Sequence, residues 1–226
     1  GKPGICFVTR GPGATNASIG VHVAKQDSVP MILFVGQVSV NSIQREAFQE
    51  IDIPAMFKPL AKWAIQIDDA ERLPELLSRA IKIATSGKPG PVVISIPEDM
   101  QNQLANAPAV VPNVPIVSSP SPDQIDRLGV LIGQAEQPVM VLGASTWTSE
   151  ACDQIADFAK RHDIPVVAGF RCQDKINNDH PNYVGTIGAG TPPYITDLIN
   201  GSDLLICLSL ELSEIVTQGF TQFTYP

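Results

Sequence analysis

Several features that mark particular classes of protein are scarce in these 226 residues. No apolar run approaches the roughly 18 residues that a membrane-spanning helix needs, so we expect no membrane partner. Basic residues number 15 against 23 acidic ones, which argues against the basic stripe of a nucleic-acid groove. The four cysteines lie far apart without CxxC spacing, which argues against a disulfide framework or a zinc site. These cysteines are Cys6, Cys152, Cys172 and Cys207.

Charge is also scarce, since charged residues make up 17% of the chain against roughly 25% in an average globular protein. Together with 44% hydrophobic residues, this composition suits parallel sheets that are buried on both faces. Cys6 and Cys207 lie inside apolar runs, and we expect both to be buried. The cysteine usage and the lack of a signal-like run favour a reducing, cytoplasmic setting.

Apolar runs alternate with helical patterns along the chain, which predicts an α/β fold with parallel sheets. Residues 104–121 interrupt the alternation, because their prolines and small residues favour an extended connector. We therefore predict two parallel-sheet domains, 1–103 and 122–226, joined by a linker at 104–121. The predicted strands are 4–9, 31–36, 62–67, 91–96, 138–143, 164–168 and 203–208, and the predicted helices are 14–26, 69–86, 122–135, 148–162 and 191–200.

The segment from Thr9 to Asn16 is the most informative part of the chain. It follows a predicted buried strand and precedes a predicted helix, with Gly11, Pro12 and Gly13 forming a predicted turn between them. In parallel α/β sheets, ligands bind at the carboxyl ends of strands, and the helix that follows directs its unpaired N–H groups there. The same segment also suits a tight strand-to-helix turn that binds nothing.

Further motifs accompany this segment in a defined order. They are Gly1-Lys2-Pro3-Gly4, Phe48-Gln49-Glu50, Gly87-Lys88-Pro89-Gly90-Pro91-Val92-Val93 and Ile96-Pro97-Glu98-Asp99. With Gly11-Pro12-Gly13-Ala14-Thr15-Asn16, this combination resembles the thiamine-diphosphate enzymes of the acetolactate synthase and pyruvate oxidase group, over nearly the whole chain. The resemblance implies that 1–103 is the latter part of a pyrimidine-binding domain and that 122–226 is a Rossmann-like central domain.

The resemblance also implies roles for particular residues. Gly11, Pro12, Gly13 and Asn16 would contact the aminopyrimidine ring of thiamine diphosphate, with Asn16 in the first helical turn. Asn16 could instead cap that helix. In the resembling enzymes, the residues that match Phe48 and Gln49 approach the substrate side of the cofactor, so these two are the candidate catalytic residues. The alternative for them is a buried aromatic ring beside a surface amide.

Other parts of the active site would lie outside this chain. The family's activating glutamate precedes the segment that matches Gly1-Lys2-Pro3-Gly4, and its diphosphate and Mg²⁺ site follows the central domain, so no metal ligand is expected among these residues. We read the chain as a fragment that is inactive alone. The resemblance implies a small 2-keto acid or related acyl donor as substrate. It also implies a homodimer or homotetramer, because the family's cofactor lies between subunits.

Three residues depart from the family's pattern. Glu98 stands where acetolactate synthases carry a lysine, which weakens the specific assignment to acetolactate synthesis. Flavin-binding members carry one arginine at the position of Lys88 and another near Glu211. A lysine cannot reproduce a bidentate arginine contact, and a glutamate next to a pyrophosphate is repulsive. We therefore expect that FAD is not bound, although Gly143-Ala144-Ser145 and Ile187-Gly188-Ala189-Gly190 fall where flavin binders contact the dinucleotide. The alternative to an enzyme is a non-catalytic nucleotide-binding or structural α/β module with a degenerate pocket.

Overall fold

The computed structural model describes residues 2–108, 118–144 and 147–222. The chain divides into two compact units, Gly1–Val117 and Ser118–Pro226. Each unit contains one four-stranded sheet in which all neighbouring strands are parallel. Two separate parallel sheets with helices confirm the predicted α/β fold class. The domain bounds at 103 and 122 remain predictions, and residues 109–117 of the predicted linker lie outside the described residues.

The strands of the first unit are β1 (Gly4–Val8), β2 (Met31–Gln37), β3 (Trp63–Gln66) and β4 (Pro91–Pro97), and its helices are α1 (Arg10–Gln26), α2 (Ile53–Phe57) and α3 (Leu73–Thr85). The strands are arranged in the sheet in the order β1-β2-β4-β3. Alternate residues of the central strands point to opposite faces: Ile32 packs in the cluster that contains Leu76 of α3, and Leu33 packs in the cluster that contains Val21 of α1. Both faces of the central strands are therefore covered, as the low charge content predicts.

The helices of the second unit are α4 (Pro122–Gln134), α5 (Ser149–His162) and α6 (Pro193–Asn200), and its strands are β5 (Pro138–Leu142), β6 (Val166–Ala168), β7 (Tyr183–Thr186) and β8 (Leu204–Leu208). The strands are arranged in the sheet in the order β7-β6-β5-β8. The side chains of the central strand β5 again lie in two hydrophobic clusters. Val139 and Val141 pack on one face of the sheet, and Met140 and Leu142 pack on the other. This strand is therefore buried on both faces.

The predicted strands and helices are all present, with bounds that differ by a few residues, but several details differ from the prediction. The structure adds strand β7 and helix α2, and α1 begins at Arg10 rather than at residue 14. Cys6 and Cys207 are exposed rather than buried. They lie on β1 and β8, each of which is one of the two edge strands of its sheet in the described part of the chain, and an edge strand has a neighbour on one side only.

Gly143 shows how closely the segments pack at the end of β5. A Cβ atom at this position would lie 2.3 Å from the Ser209 carbonyl oxygen and 2.3 Å from the Leu210 Cα, both of them backbone atoms. Any side chain would therefore push apart the segments that follow β5 and β8.

We predict that Gly143→Ala lowers the free energy of unfolding by about 1–3 kcal/mol, as overpacking of a tight contact does. Gly129→Ala is the matched control, because Gly129 lies inside α4 with nothing within 4 Å of the added methyl group. The control should be neutral or stabilise the protein by up to about 1 kcal/mol through helix propensity. Urea denaturation measures both changes, and equal effects of the two substitutions would contradict this packing account.

Candidate active site

Three loops of the first unit meet at the carboxyl edge of its sheet. They follow β1, β2 and β4. Hydrogen bonds join the loop after β2 directly to the loop after β4. The backbone N–H of Glu98, just after β4, donates to the carbonyl of Gln37 at the end of β2 over 3.1 Å. The Asp99 carboxylate accepts the N–H of Val40, with oxygen distances of 3.0 and 3.2 Å. This edge is where parallel α/β sheets place their ligands.

The Gly-Pro-Gly segment does not form the separate turn that the sequence predicts. Gly11, Pro12 and Gly13 lie in the first turn of α1, which follows its N-cap residue Thr9. Proline is tolerated there because the N–H groups of a first turn have no intrahelical partner. Asn16 lies in the second turn rather than the first, so it does not cap this helix.

The two glycines permit close contacts within the chain. A Cβ on Gly11 would lie 2.9 Å from the carbonyl oxygen of Gln49, and a Cβ on Gly13 would lie 3.1 Å from the Cβ of Val8. The Gly11 N–H donates to that Gln49 carbonyl over 3.0 Å. Gly11 therefore brings the start of α1 against the segment that contains Phe48 and Gln49.

Pro12 and Asn16 both lie on the exposed surface of α1. Their spacing of four residues places them one above the other on the same helix face. The structure thus leaves both residues accessible at the edge where the loops meet. Their contacts with a cofactor remain predictions, as do those of Gly11 and Gly13.

The candidate catalytic residues lie on a loop of residues 43–52, called here the Gln49 loop. The ring of Phe48 is not the buried aromatic of the alternative interpretation, since the residue is 78% exposed. Gln49 has a φ of +66°, a left-handed conformation that a non-glycine residue adopts only when its surroundings hold it. Part of that support comes from the buried Gln37, whose Nε2 donates to the Ile51 carbonyl over 2.8 Å.

Glu50 holds the Gln49 loop from within. Its carboxylate oxygens accept the backbone N–H groups of Gln44 at 2.5 Å and Ala47 at 3.0 Å. These hydrogen bonds favour the charged form and hold the pKa of Glu50 below its ordinary value. Glu50 therefore has a structural role in this loop.

Glu98 is not an isolated negative charge at this edge. Its Oε2 lies 2.6 Å from Nη2 of Arg10, the first residue of α1. The same guanidinium donates through Nη1 to the carbonyl oxygen of Phe48 over 3.1 Å. Sequence reasoning missed Arg10, because its partners lie 38 and 88 residues away along the chain.

The second unit uses two of its predicted nucleotide-contacting glycines for internal packing. The space beside Gly143 is taken by the segment at Ser209 and Leu210, and a Cβ on Gly188 would lie 2.9 Å from the ring of Phe170. These contacts explain both glycines without a ligand. The expectation that FAD is not bound remains a prediction, and Ser145 lies outside the described residues.

Residues 2–108, 118–144 and 147–222 contain no group of three or more His, Cys, Asp and Glu side chains that could hold a metal ion. Among the same residues, no helix is both long and apolar enough to cross a membrane.

We predict that Gly11→Ala displaces the Gln49 carbonyl and lowers the free energy of unfolding by about 1–3 kcal/mol. Gly20→Ala, in the same helix, has nothing within 4 Å of its added methyl group and should be neutral or slightly stabilising. Urea denaturation compares the two variants. A Gly11→Ala protein as stable as the Gly20→Ala protein would mean that the contact with Gln49 does not constrain this position.

We predict that Glu50→Gln loosens the Gln49 loop in a pH-dependent way. Because the folded-state pKa is lowered, the carboxylate supports the loop above its ordinary pKa of 4.5 and loses that effect as the pH falls through the lowered value. Cleavage by pepsin within 43–52 should be faster in the variant at about pH 5, with the difference shrinking as the pH falls further below 4.5. Glu46→Gln, in the same loop, is the control, and an equal response from it would contradict the assignment.

Family models match both parts of the chain. The model for the N-terminal TPP binding domain of thiamine pyrophosphate enzymes matches residues 1–56, and the model for their central domain matches residues 125–226. These matches cover most of the first unit's candidate site and nearly all of the second unit.

Individual proteins show the same similarity. The chain is 33% identical over 227 residues to the acetolactate synthase large subunit of Corynebacterium glutamicum, with 99% of this chain and 36% of that protein covered. It is 34% identical over 230 residues to a probable acetolactate synthase large subunit of Methanocaldococcus jannaschii, with 99% and 39% covered. The chain thus spans under two fifths of the length of these relatives.

A solved structure extends the comparison to the fold. The thiamine diphosphate-dependent 4-hydroxybenzoylformate decarboxylase of Rhodococcus jostii RHA1 matches with a TM-score of 0.78 and 26% identity, covering 90% of this chain and 40% of that one. The order of motifs, the two parallel sheets and these matches agree: the chain belongs to the thiamine pyrophosphate enzymes, with acetolactate synthase large subunits among its relatives.

Proposed function

We propose that this chain is part of a thiamine-diphosphate-dependent decarboxylase or carboligase that acts on a small 2-keto acid or a related acyl donor. One observation carries the proposal: the Gly11 N–H bonds to the Gln49 carbonyl, so the predicted cofactor-binding helix and the predicted catalytic loop form one edge of the sheet. Homology to acetolactate synthases and to a keto-acid decarboxylase supports the reaction class.

The exposed residues at this edge fit an aminopyrimidine ring. Pro12 offers an apolar surface, and the accessible amide of Asn16 offers both a donor and an acceptor. A flat heteroaromatic ring needs this combination of an apolar wall and a few directed polar groups. We propose that Gly11, Pro12, Gly13 and Asn16 form this wall of the cofactor site.

Thiamine diphosphate, when bound, supplies the carbanion nucleophile and the electron sink that decarboxylation requires. The residues of this chain would bind and orient the reactants. The exposed Phe48 ring would cover the substrate and exclude water, and the Gln49 side-chain amide would donate to a carbonyl oxygen that gains negative charge. We assign both residues to the substrate side of the site.

The pairing of Glu98 with Arg10 supports an anionic substrate. A lone carboxylate at this edge would repel the carboxylate of a 2-keto acid, but the guanidinium at 2.6 Å balances its charge. The departure at Glu98 is therefore compatible with keto-acid chemistry.

We further propose that the complete site lies between two subunits of a cytoplasmic homodimer or homotetramer. This chain supplies the pyrimidine-binding wall. The activating glutamate and the Mg²⁺ that holds the diphosphate would come from regions outside this chain. The chain's coverage of 36–39% of its relatives leaves room for such regions.

The second candidate is a non-catalytic module with a degenerate pocket. The internally packed Gly143 and Gly188 favour it for the central domain alone, because neither glycine is needed there to approach a ligand. The exposed Pro12, Asn16 and Phe48 favour the enzyme.

Turnover by the full-length protein separates these candidates. With thiamine diphosphate and Mg²⁺, we expect CO₂ release from at least one member of a panel of 2-keto acids. Gln49→Ala should lower kcat by about 10- to 1000-fold, as loss of one donor to a developing oxyanion does. Asn16→Ala should instead weaken cofactor binding by roughly tenfold, as loss of one hydrogen bond to a ligand does.

Gln26→Ala is the control for these variants, because it removes an exposed amide from the other end of the same helix, where it contacts His22. It should leave both kcat and cofactor affinity unchanged. A protein that binds thiamine diphosphate but releases no CO₂ from any keto acid would favour the non-catalytic module.

A further inference from the structure

The guanidinium of Arg10 joins three segments of the first unit. Nη1 donates to the carbonyl of Phe48 in the Gln49 loop over 3.1 Å, and Nη2 lies 2.6 Å from the Glu98 carboxylate that follows β4. Arg10 itself begins α1 directly after β1. We propose that Arg10 is a positioning residue that fixes the Phe48–Gln49 backbone against α1, and that Glu98 holds the guanidinium in place for this task.

Consecutive residues of α1 hold consecutive carbonyl groups of the loop. Arg10 binds the Phe48 carbonyl through its side chain, and Gly11 binds the Gln49 carbonyl through its backbone N–H over 3.0 Å. Two contacts to adjacent peptide groups fix both the position of that stretch of backbone and its rotation. The direction in which the Gln49 side chain leaves the loop depends on that rotation.

The Phe48–Gln49 stretch needs external support. Phe48 is 78% exposed, so its ring does not anchor the loop within this unit. Gln49 has a φ of +66°, which costs conformational energy unless the surrounding contacts impose it. Within the part of the chain that the structure describes, the Glu50 carboxylate bonds to backbone groups earlier in the loop, so these bonds do not fix the loop relative to α1.

Arginine suits this bridging role better than lysine. Its planar fork places two donors at a fixed angle, one for the Phe48 carbonyl and one for the Glu98 carboxylate, whereas an ammonium group is a compact point charge on a flexible stem. The Arg10 side chain is 25% exposed and that of Glu98 is 58% exposed. A pair this accessible adds little to global stability, so the effect of breaking it should be local to the loop.

The catalytic consequence rests on the proposed function, but the positioning itself does not. If Gln49 and Phe48 act on the substrate, a misplaced loop should lower kcat more than it weakens cofactor binding, because Pro12 and Asn16 lie on α1 and stay in place. Hydrogen exchange of the loop reports the positioning without any reference to turnover.

The test compares Arg10→Gln, Arg10→Lys and Glu98→Gln in the full-length holoenzyme. Arg72→Gln is the matched control, since it removes the same charge from an exposed 3.5 Å pair with Glu75 in the same unit. Amide exchange is followed in peptides that cover 43–52, and kcat is measured separately from the apparent affinity for thiamine diphosphate.

In Arg10→Gln we expect roughly tenfold faster exchange across the loop and a roughly tenfold lower kcat, since misplacement by about 1 Å can cost up to about 100-fold in rate. Arg10→Lys should show smaller changes in amide exchange and in kcat than Arg10→Gln, without reaching the values of the unsubstituted protein. Glu98→Gln should give a smaller effect in the same direction, and Arg10→Gln/Glu98→Gln should match Arg10→Gln alone, because Glu98 acts through Arg10. Cofactor affinity should stay within about twofold throughout.

Unchanged exchange of 43–52 in both Arg10 variants, or an equal increase in Arg72→Gln, would overturn the positioning role. So would additive losses in the Arg10→Gln/Glu98→Gln protein, because they would mean that the two side chains act independently. Faster exchange without a change in the kcat of an active enzyme would support the positioning role, but would overturn the assignment of Gln49 and Phe48 to the substrate side.

Discussion

The candidate site depends on the close approach between the first turn of α1 and the Gln49 loop. The Gly11 N–H lies 3.0 Å from the Gln49 carbonyl, and a single added carbon on Gly11 would come within 2.9 Å of that oxygen. A parallel sheet brings the loops that follow its strands to one edge, but it does not determine how closely they pack. The missing side chain at Gly11 determines that distance, and with it the separation between the exposed face of α1 and the Phe48 ring.

The sequence predicts the architecture well because its signals are local. Apolar runs and helical stripes locate the strands and helices, and their alternation implies parallel sheets. Prediction failed where local signals were ambiguous. Gly11-Pro12-Gly13 has the composition of a turn, yet a helix accepts it in its first turn, where no intrahelical N–H partner is required. The strand Tyr183–Thr186 was not predicted because its sequence, YVGT, includes a glycine and forms no apolar run.

Features that depend on distant partners could not be predicted from the sequence. The exposure of Cys6 and Cys207 follows from the strand order, which places β1 and β8 at sheet edges, and an apolar run does not reveal its neighbours. The Arg10–Glu98 pair spans 88 residues. Considered alone, Glu98 is a reversed charge that speaks against an anionic substrate. Considered with Arg10, it is half of a neutral pair, so it affects the site more by holding the guanidinium in place than by its charge.

Glycine after a strand suggested a ligand in both units, and the structure shows why that signal is weak by itself. The Gln49 carbonyl takes the space beside Gly11, and the backbone at Ser209 and Leu210 takes the space beside Gly143. Internal packing therefore explains both glycines equally well. What distinguishes the first unit is its surroundings, since Pro12, Asn16 and Phe48 remain accessible there and carry the apolar, polar and aromatic groups that a heteroaromatic cofactor and its substrate require. Accessible side chains of the right chemistry, on a helix and on a loop that is anchored to it, are stronger evidence for a site than the glycine that permits the packing.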